Sequence, residues 1–128
     1  MQRDDISTAL ADIRAERVRQ MHVEGWSPEH DDRHNRGEIA NAAAAYAVAS
    51  VDDRSRRDCV LYAAIGTHPG SGANAGWVSV SNLLWPWSRE WWKPKSYREN
   101  LVRAAALLVA EIERIDRAER SKSAAPAA

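Results

Sequence analysis

The chain has 128 residues, the size of one ordinary domain, and its 18 basic side chains balance 18 acidic ones to a formal charge of zero. With 45 % apolar residues, 28 % charged residues and a single cysteine, the composition excludes wholesale disorder, a collagen-like repeat, a disulfide scaffold and nucleic-acid binding driven by bulk positive charge. The aromatic complement is skewed, with six Trp, three Tyr and no Phe.

Residues 4 to about 23 place Ile6, Leu10 and Ile13, then Val18 and Met21, among Asp12, Arg14, Glu16, Arg17 and Arg19. That alternation predicts an amphipathic first helix, and Gly25 is its natural stop. The N-terminus is acidic and lacks the apolar stretch of a signal peptide, so the expected compartment is the cytosol.

Residues 25–37 are densely polar. Ser27-Pro28-Glu29 has the order of a helix start: a hydroxyl cap, proline at the first helical position, and an acid near the positive end of the dipole. Gly37 then breaks that turn, and the Ala-rich stretch Glu38–Ser50 predicts a helix whose small side chains allow close packing. Asp52 and Asp53 are positioned to cap a third helix over 54–65, ended by Gly66 and Pro69. Cys59 falls within it and is expected to be a buried, inert thiol.

Residues 67–95 predict one long irregular segment, with a brief strand at Trp77–Ser81 for which no partner is evident. The uncharged run from Gly66 to Ser88 is too rich in Gly, Ser, Asn and Pro to be a membrane span. The last helix opens with the capping box Ser96-Tyr-Arg-Glu99, and Leu101, Ala105, Leu108, Ile112 and Ile115 follow in alternating steps of four and three. This seam can complete the core or join two copies of the chain. Glu99–Arg103 and Glu113–Arg117 are spaced to form supporting ion pairs. The expected architecture is all-α, a compact bundle of about four helices with one long Trp-rich loop. The domain is expected to span 1–119, with a disordered tail at 120–128.

Four places can carry chemistry. If residues 28–38 are helical, His30, His34 and Glu38 succeed one another on one face beside Asp31, a workable ligand set for a divalent metal. The zincin-like spacing of His30-Asp31-x-x-His34 is a poor match, because its flanks are polar and Ala40 stands where a third His would be. A solvated, self-capping turn explains the same residues. Second, all-α nucleotide pyrophosphohydrolases hold Mg with paired acids on facing helices. Glu16, Glu24, Glu38, Asp52, Asp53 and Asp58 are the available acids, but the Glu-Glu-x-x-Glu helix is absent. Third, Trp85, Trp87, Trp91 and Trp92 with Lys93 and Lys95 can stack a nucleotide-like ligand, anchor a protein partner, or plug an Ala-rich core. Fourth, the loop Gly66–Gly76 has glycines and His68 but no phosphate-loop ending, and is expected to be a surface loop.

Most of the chain to about residue 117 resembles small proteins of bacteriophages and prophages. The resemblance rests on Glu24-Gly-Trp-Ser-Pro-Glu-His-Asp-Asp32 with His34, on Gly37-Glu-Ile-Ala40, on Trp85-Pro-Trp87 and Trp91-Trp-Lys-Pro94, and on Leu101-Val-Arg-Ala-Ala-Ala-Leu107 through Glu111-Ile112. It implies a phage accessory protein in the bacterial cytosol and carries over no catalytic residues. The expected function is therefore non-catalytic binding of a host or phage protein, or of a small anionic ligand, through the Trp loop and the acidic–His turn. The alternative is a metal-dependent nucleotide pyrophosphohydrolase using His30, Asp31, His34 and Glu38.

Overall fold

The computed structural model describes residues 2–51, 62–65 and 76–124. The chain runs α1 (Gln2–His22), α2 (Pro28–Asp32), α3 (Glu38–Val51), β1 (Tyr62–Ile65), β2 (Gly76–Ser79), α4 (Val80–Leu84), a 3-10 turn at Arg89–Trp91, and α5 (Tyr97–Ala124). Among the described residues the fold is all-α in character, helix packed on helix, with one antiparallel two-stranded ladder.

Local chemistry sets the helix boundaries. Gly25 and Gly37 adopt φ of +77° and +87°, a region costly for any side chain with a Cβ, and they separate α1 from α2 and α2 from α3. The Ser27 hydroxyl accepts from the His30 amide at 3.2 Å, with Pro28 at the first helical position. At α5 the Ser96 hydroxyl accepts from the Glu99 amide at 3.4 Å and donates to the Glu99 carboxylate at 3.0 Å, so the box closes on the hydroxyl.

The core lies between α3 and α5, the most extensive helix contact in the fold. Ile39, Ala42, Ala43, Ala45 and Tyr46 of α3 meet Ala104, Leu107 and Ala110 of α5, with Trp85 buried among them. Alanine on both sides lets the backbones approach closely, and the indole fills the space that small side chains leave. Asn100 is buried at the start of α5, where its amide accepts from the Lys95 N–H at 2.6 Å and donates to the Lys95 carbonyl at 3.0 Å. That exchange satisfies both of its polar atoms.

Several expectations are revised. Residues 62–65 form a strand, not the end of a third helix, with Tyr62 opposite Ser79 and Ile65 opposite Gly76. A short apolar run does not distinguish strand from helix by periodicity, and the partner strand decides. That pairing supplies the partner missing for the expected strand, which ends at Ser79 where α4 begins. The remainder of the expected third helix, with Asp52, Asp53, Asp58 and Cys59, lies outside the described residues, as do His68 and residues 66–75 of the glycine-rich loop. Helix α5 continues to Ala124, past residue 119; residues 125–128 lie outside the described part.

The paired charges also find other partners. Glu113 accepts from Arg17 at 2.8 Å, Arg117 donates to Asp32 at 2.8 Å, and Arg103 donates to the Lys93 carbonyl at 2.6 Å. Each tertiary partner ties two segments together, which an i, i+4 pair on one exposed helix face does not. The Leu101–Ile115 seam faces outward: Leu101, Leu108, Ile112 and Ile115 are 40 %, 49 %, 57 % and 44 % exposed. The opposite face of α5 supplies the core.

Candidate functional site

The site is built on α2, one turn long, and its neighbours. Arg17 of α1 is buried beneath it and serves three groups. Its Nη2 donates to Asp31 Oδ2 at 3.0 Å, its Nε to Glu113 Oε1 at 2.8 Å, and its Nη1 to the Trp26 carbonyl at 3.4 Å. Arg117 of α5 adds bonds to Asp32 and to the Pro28 carbonyl. A five-residue helix has almost no stability of its own, so these anchors hold it in place.

With α2 fixed, His30 within it and His34 just past its end turn toward the Trp segment. His34 lies 5.2 Å and His30 6.5 Å from Trp87, ring centroid to centroid, and both contacts are edge-on. The two imidazoles are 4.7 Å apart. Trp26, immediately before the Ser27 cap, lies 6.4 Å from His30 with the rings nearly parallel at 12°, and 5.9 Å from Trp87. Glu24, Ser88 and Trp91 complete a cavity of about 370 Å³ lined by these aromatic rings. That volume falls within the range of small-molecule sites, roughly 300–1,000 Å³.

The polar edges of the two imidazoles are defined by their neighbours. His30 Nδ1 is 3.3 Å from Asp31 Oδ1, and His34 Nδ1 is 3.2 Å from Glu38 Oε2. An ionised carboxylate only accepts, so each Nδ1 carries a proton and donates, which leaves Nε2 as the acceptor whenever the ring is neutral. Desolvation raises the Glu38 carboxyl's affinity for its proton. Hydrogen bonds from the Arg36 and Glu38 amides, and then His34, outweigh it and hold the group below the usual carboxylate range.

The candidate metal ligands are therefore close together but occupied with other partners. Asp31 is bound to Arg17 and His30, and Glu38 accepts the Arg36 amide at 2.6 Å as well as His34. Among the described residues no group of three or more His, Cys, Asp and Glu is arranged to hold a metal ion. Glu16 and Glu24 converge on Arg19, at 2.8 Å and 3.0 Å, and leave it a stronger base than a free guanidinium.

The Trp cluster divides in two. Trp85 is buried, its Nε1 donating to the Ser88 carbonyl at 3.0 Å and its ring edge-on to Tyr46. Trp92 packs on Tyr46 and Trp85 at 4.8 Å and 4.9 Å. Trp85 belongs to the core, and Trp92 is partly buried against it. Burial is the main reason the Tyr46 phenol is pushed above its ordinary value, although the Lys93 amide donates to its oxygen at 3.3 Å. Trp87 and Trp91 instead line the cavity, and Lys93 sits over the Trp91 ring with Nζ 5.7 Å from its centroid. Lys95 is exposed.

Two lining residues, Trp26 and Ser88, were not singled out as ligand contacts from sequence, and Glu24 was weighed there only as a magnesium-holding acid. Trp26 stands four positions before His30, the one signal that could have joined it to the imidazoles.

Among the described residues no helix is long and apolar enough to cross a membrane. Comparison with protein-family models, with curated proteins and with solved structures finds no match to this chain.

Proposed function

We propose that this chain is a non-catalytic binding protein, an accessory protein of phage type acting in the bacterial cytosol, whose ligand enters the cavity between the His turn and the Trp loop. The observation that carries the proposal is the approach of His34 to within 5.2 Å of Trp87, which closes two polar and aromatic segments around one space. Sequence left open a protein partner or a small ligand. The cavity favours the small ligand: Trp85 is buried in the core, Trp92 packs against it outside the cavity, and of the described Trp residues Trp26, Trp87 and Trp91 line the space. A standard protein interface needs about 800 Å² on each side, far more than three rings around a concavity present.

The test is ligand-observed NMR of the purified protein against a panel of small aromatic and charged molecules that includes nucleobases and nucleotides. Saturable binding by the wild type, lost in Trp87→Ala and in the exposed-ring variant Trp91→Ala, is the expected result. A wild type that binds no panel member overturns the proposal. Mg-dependent nucleotide turnover lost in His30→Ala and His34→Ala would replace it with the pyrophosphohydrolase alternative.

A further inference from the structure

The chemistry of the lining selects among ligands, and the inference here rests on the cavity being a binding site. Among the described residues no Lys or Arg lines it. Its ionisable side chains are Glu24, His30 and His34, and with the rings neutral all three present acceptors. Arg19 occupies Glu24 Oε1 at 3.0 Å, and a carboxylate accepts at both oxygens. Behind Glu24, the Arg19 guanidinium is shared between two carboxylates, Glu16 and Glu24. The walls are indoles, the aromatic ring that holds a cation best. The chain itself gives an example, since Lys93 already lies over Trp91.

We infer that the cavity takes a flat, hydrogen-bond-donating organic cation of the amidinium or guanidinium class. The indoles would stack its plane, and Glu24 with the His30 and His34 Nε2 atoms would accept its N–H groups. This departs from the anionic ligand expected from sequence.

Benzamidine, benzamide and benzoate form a near-isosteric series of charge +1, 0 and −1, and calorimetry of each against the full chain tests the inference. Benzamidine should bind about tenfold more tightly than benzamide, and benzoate most weakly. Glu24→Gln should weaken benzamidine by about tenfold more than it weakens benzamide, and so remove that preference. Benzoate or inorganic phosphate binding more tightly than benzamidine overturns the cation assignment and leaves the cavity a ligand site. No binding by any member of the series, or by any nucleobase or nucleotide, overturns both.

A second observation, independent of the cavity, is the outward seam of α5. Its register is a heptad, with Ala105 and Ile112 at one core position and Leu101, Leu108 and Ile115 at the other. We propose that a second copy of this chain covers it, with the two α5 helices antiparallel. Parallel pairing would stack Arg98 on Arg98, Glu119 on Glu119, and Ala105 on Ala105 as a void. Antiparallel pairing sets Leu101 against Ile112 and Ala105 against Leu108, small against large, and brings Lys95 beside Asp116. The apolar groove between α1 and α5, lined by Leu10, Val18, Met21 and Val109, extends the same face. Light scattering should give twice 14.3 kDa for the wild type and 14.3 kDa for Leu108→Glu, with unchanged helicity. Mixed Leu101→Cys and Ile112→Cys chains, in a Cys59→Ser background, should cross-link. A monomeric wild type at about 100 μM, weaker than a micromolar dimer allows, overturns the proposal, and self-cross-linking of Ile112→Cys alone overturns the orientation.

Discussion

Arg17 Nη2 lies 3.0 Å from Asp31 Oδ2, with both side chains sealed from solvent. This pair fastens a one-turn helix to α1, and the same guanidinium reaches Glu113 of α5. Removing one member of a buried pair leaves the other without compensation, which typically costs about 3–5 kcal/mol. Arg17→Met should therefore lower unfolding stability by about that much. Arg17→Met with Asp31→Leu should recover part of the loss, because an apolar pair of similar volume removes both charges together. Urea unfolding of the single and double variants measures both effects.

The division of the Trp cluster predicts opposite outcomes within a few residues. Trp85→Ala opens a cavity in the α3–α5 core and should cost about 3–5 kcal/mol. Trp91→Ala removes an exposed ring and should leave stability within about 0.5 kcal/mol of the wild type while weakening ligand binding. Denaturation curves and calorimetry on the same preparations separate the two roles.

Tyr46 titrates above the ordinary phenol range because it is buried. Its neutral form is favoured in the folded state, so that contribution to stability is complete below the unfolded-state pKa of about 10 and is lost as pH rises through the folded value. Phenolate absorbance from Tyr46 should appear late in an alkaline titration and coincide with loss of near-ultraviolet circular dichroism. Tyr46→Phe should remove that late component.

Glu38 behaves in the opposite sense. Its folded-state carboxyl titrates below the ordinary value, so its contribution is present above the unfolded-state pKa and is lost as pH falls through the folded one. The difference in melting temperature between wild type and Glu38→Gln should shrink on acidification from neutral pH. A difference that grows toward low pH would contradict the hydrogen bonds assigned to Arg36 and His34.

Metal titration addresses the His30, Asp31, His34 and Glu38 set directly. With Asp31 held by Arg17 and Glu38 by the Arg36 amide, Zn(II) or Mn(II) should give no stoichiometric heat with the dialysed protein. A stoichiometric heat lost in His30→Ala and His34→Ala would restore the metal-dependent alternative.

What the sequence determined by itself is short in range. The Ser27-Pro28 start, the Ser96–Glu99 box, the Gly25 and Gly37 breaks and the span of α3 all follow from contacts within about one helical turn, where residue type and spacing suffice. Tertiary structure decided which faces those helices bury. Arg17 reads as part of a solvated stripe until Glu113, 96 positions away, and Asp31 enclose it. The α5 seam has the pattern of a core, yet α3 packs on the face of Asn100, Ala104, Leu107 and Ala110 instead. The meeting of the His turn with Trp87 across more than fifty residues is likewise invisible to local rules. Burial is a property of pairs of surfaces, and periodicity along one helix describes only one of the two.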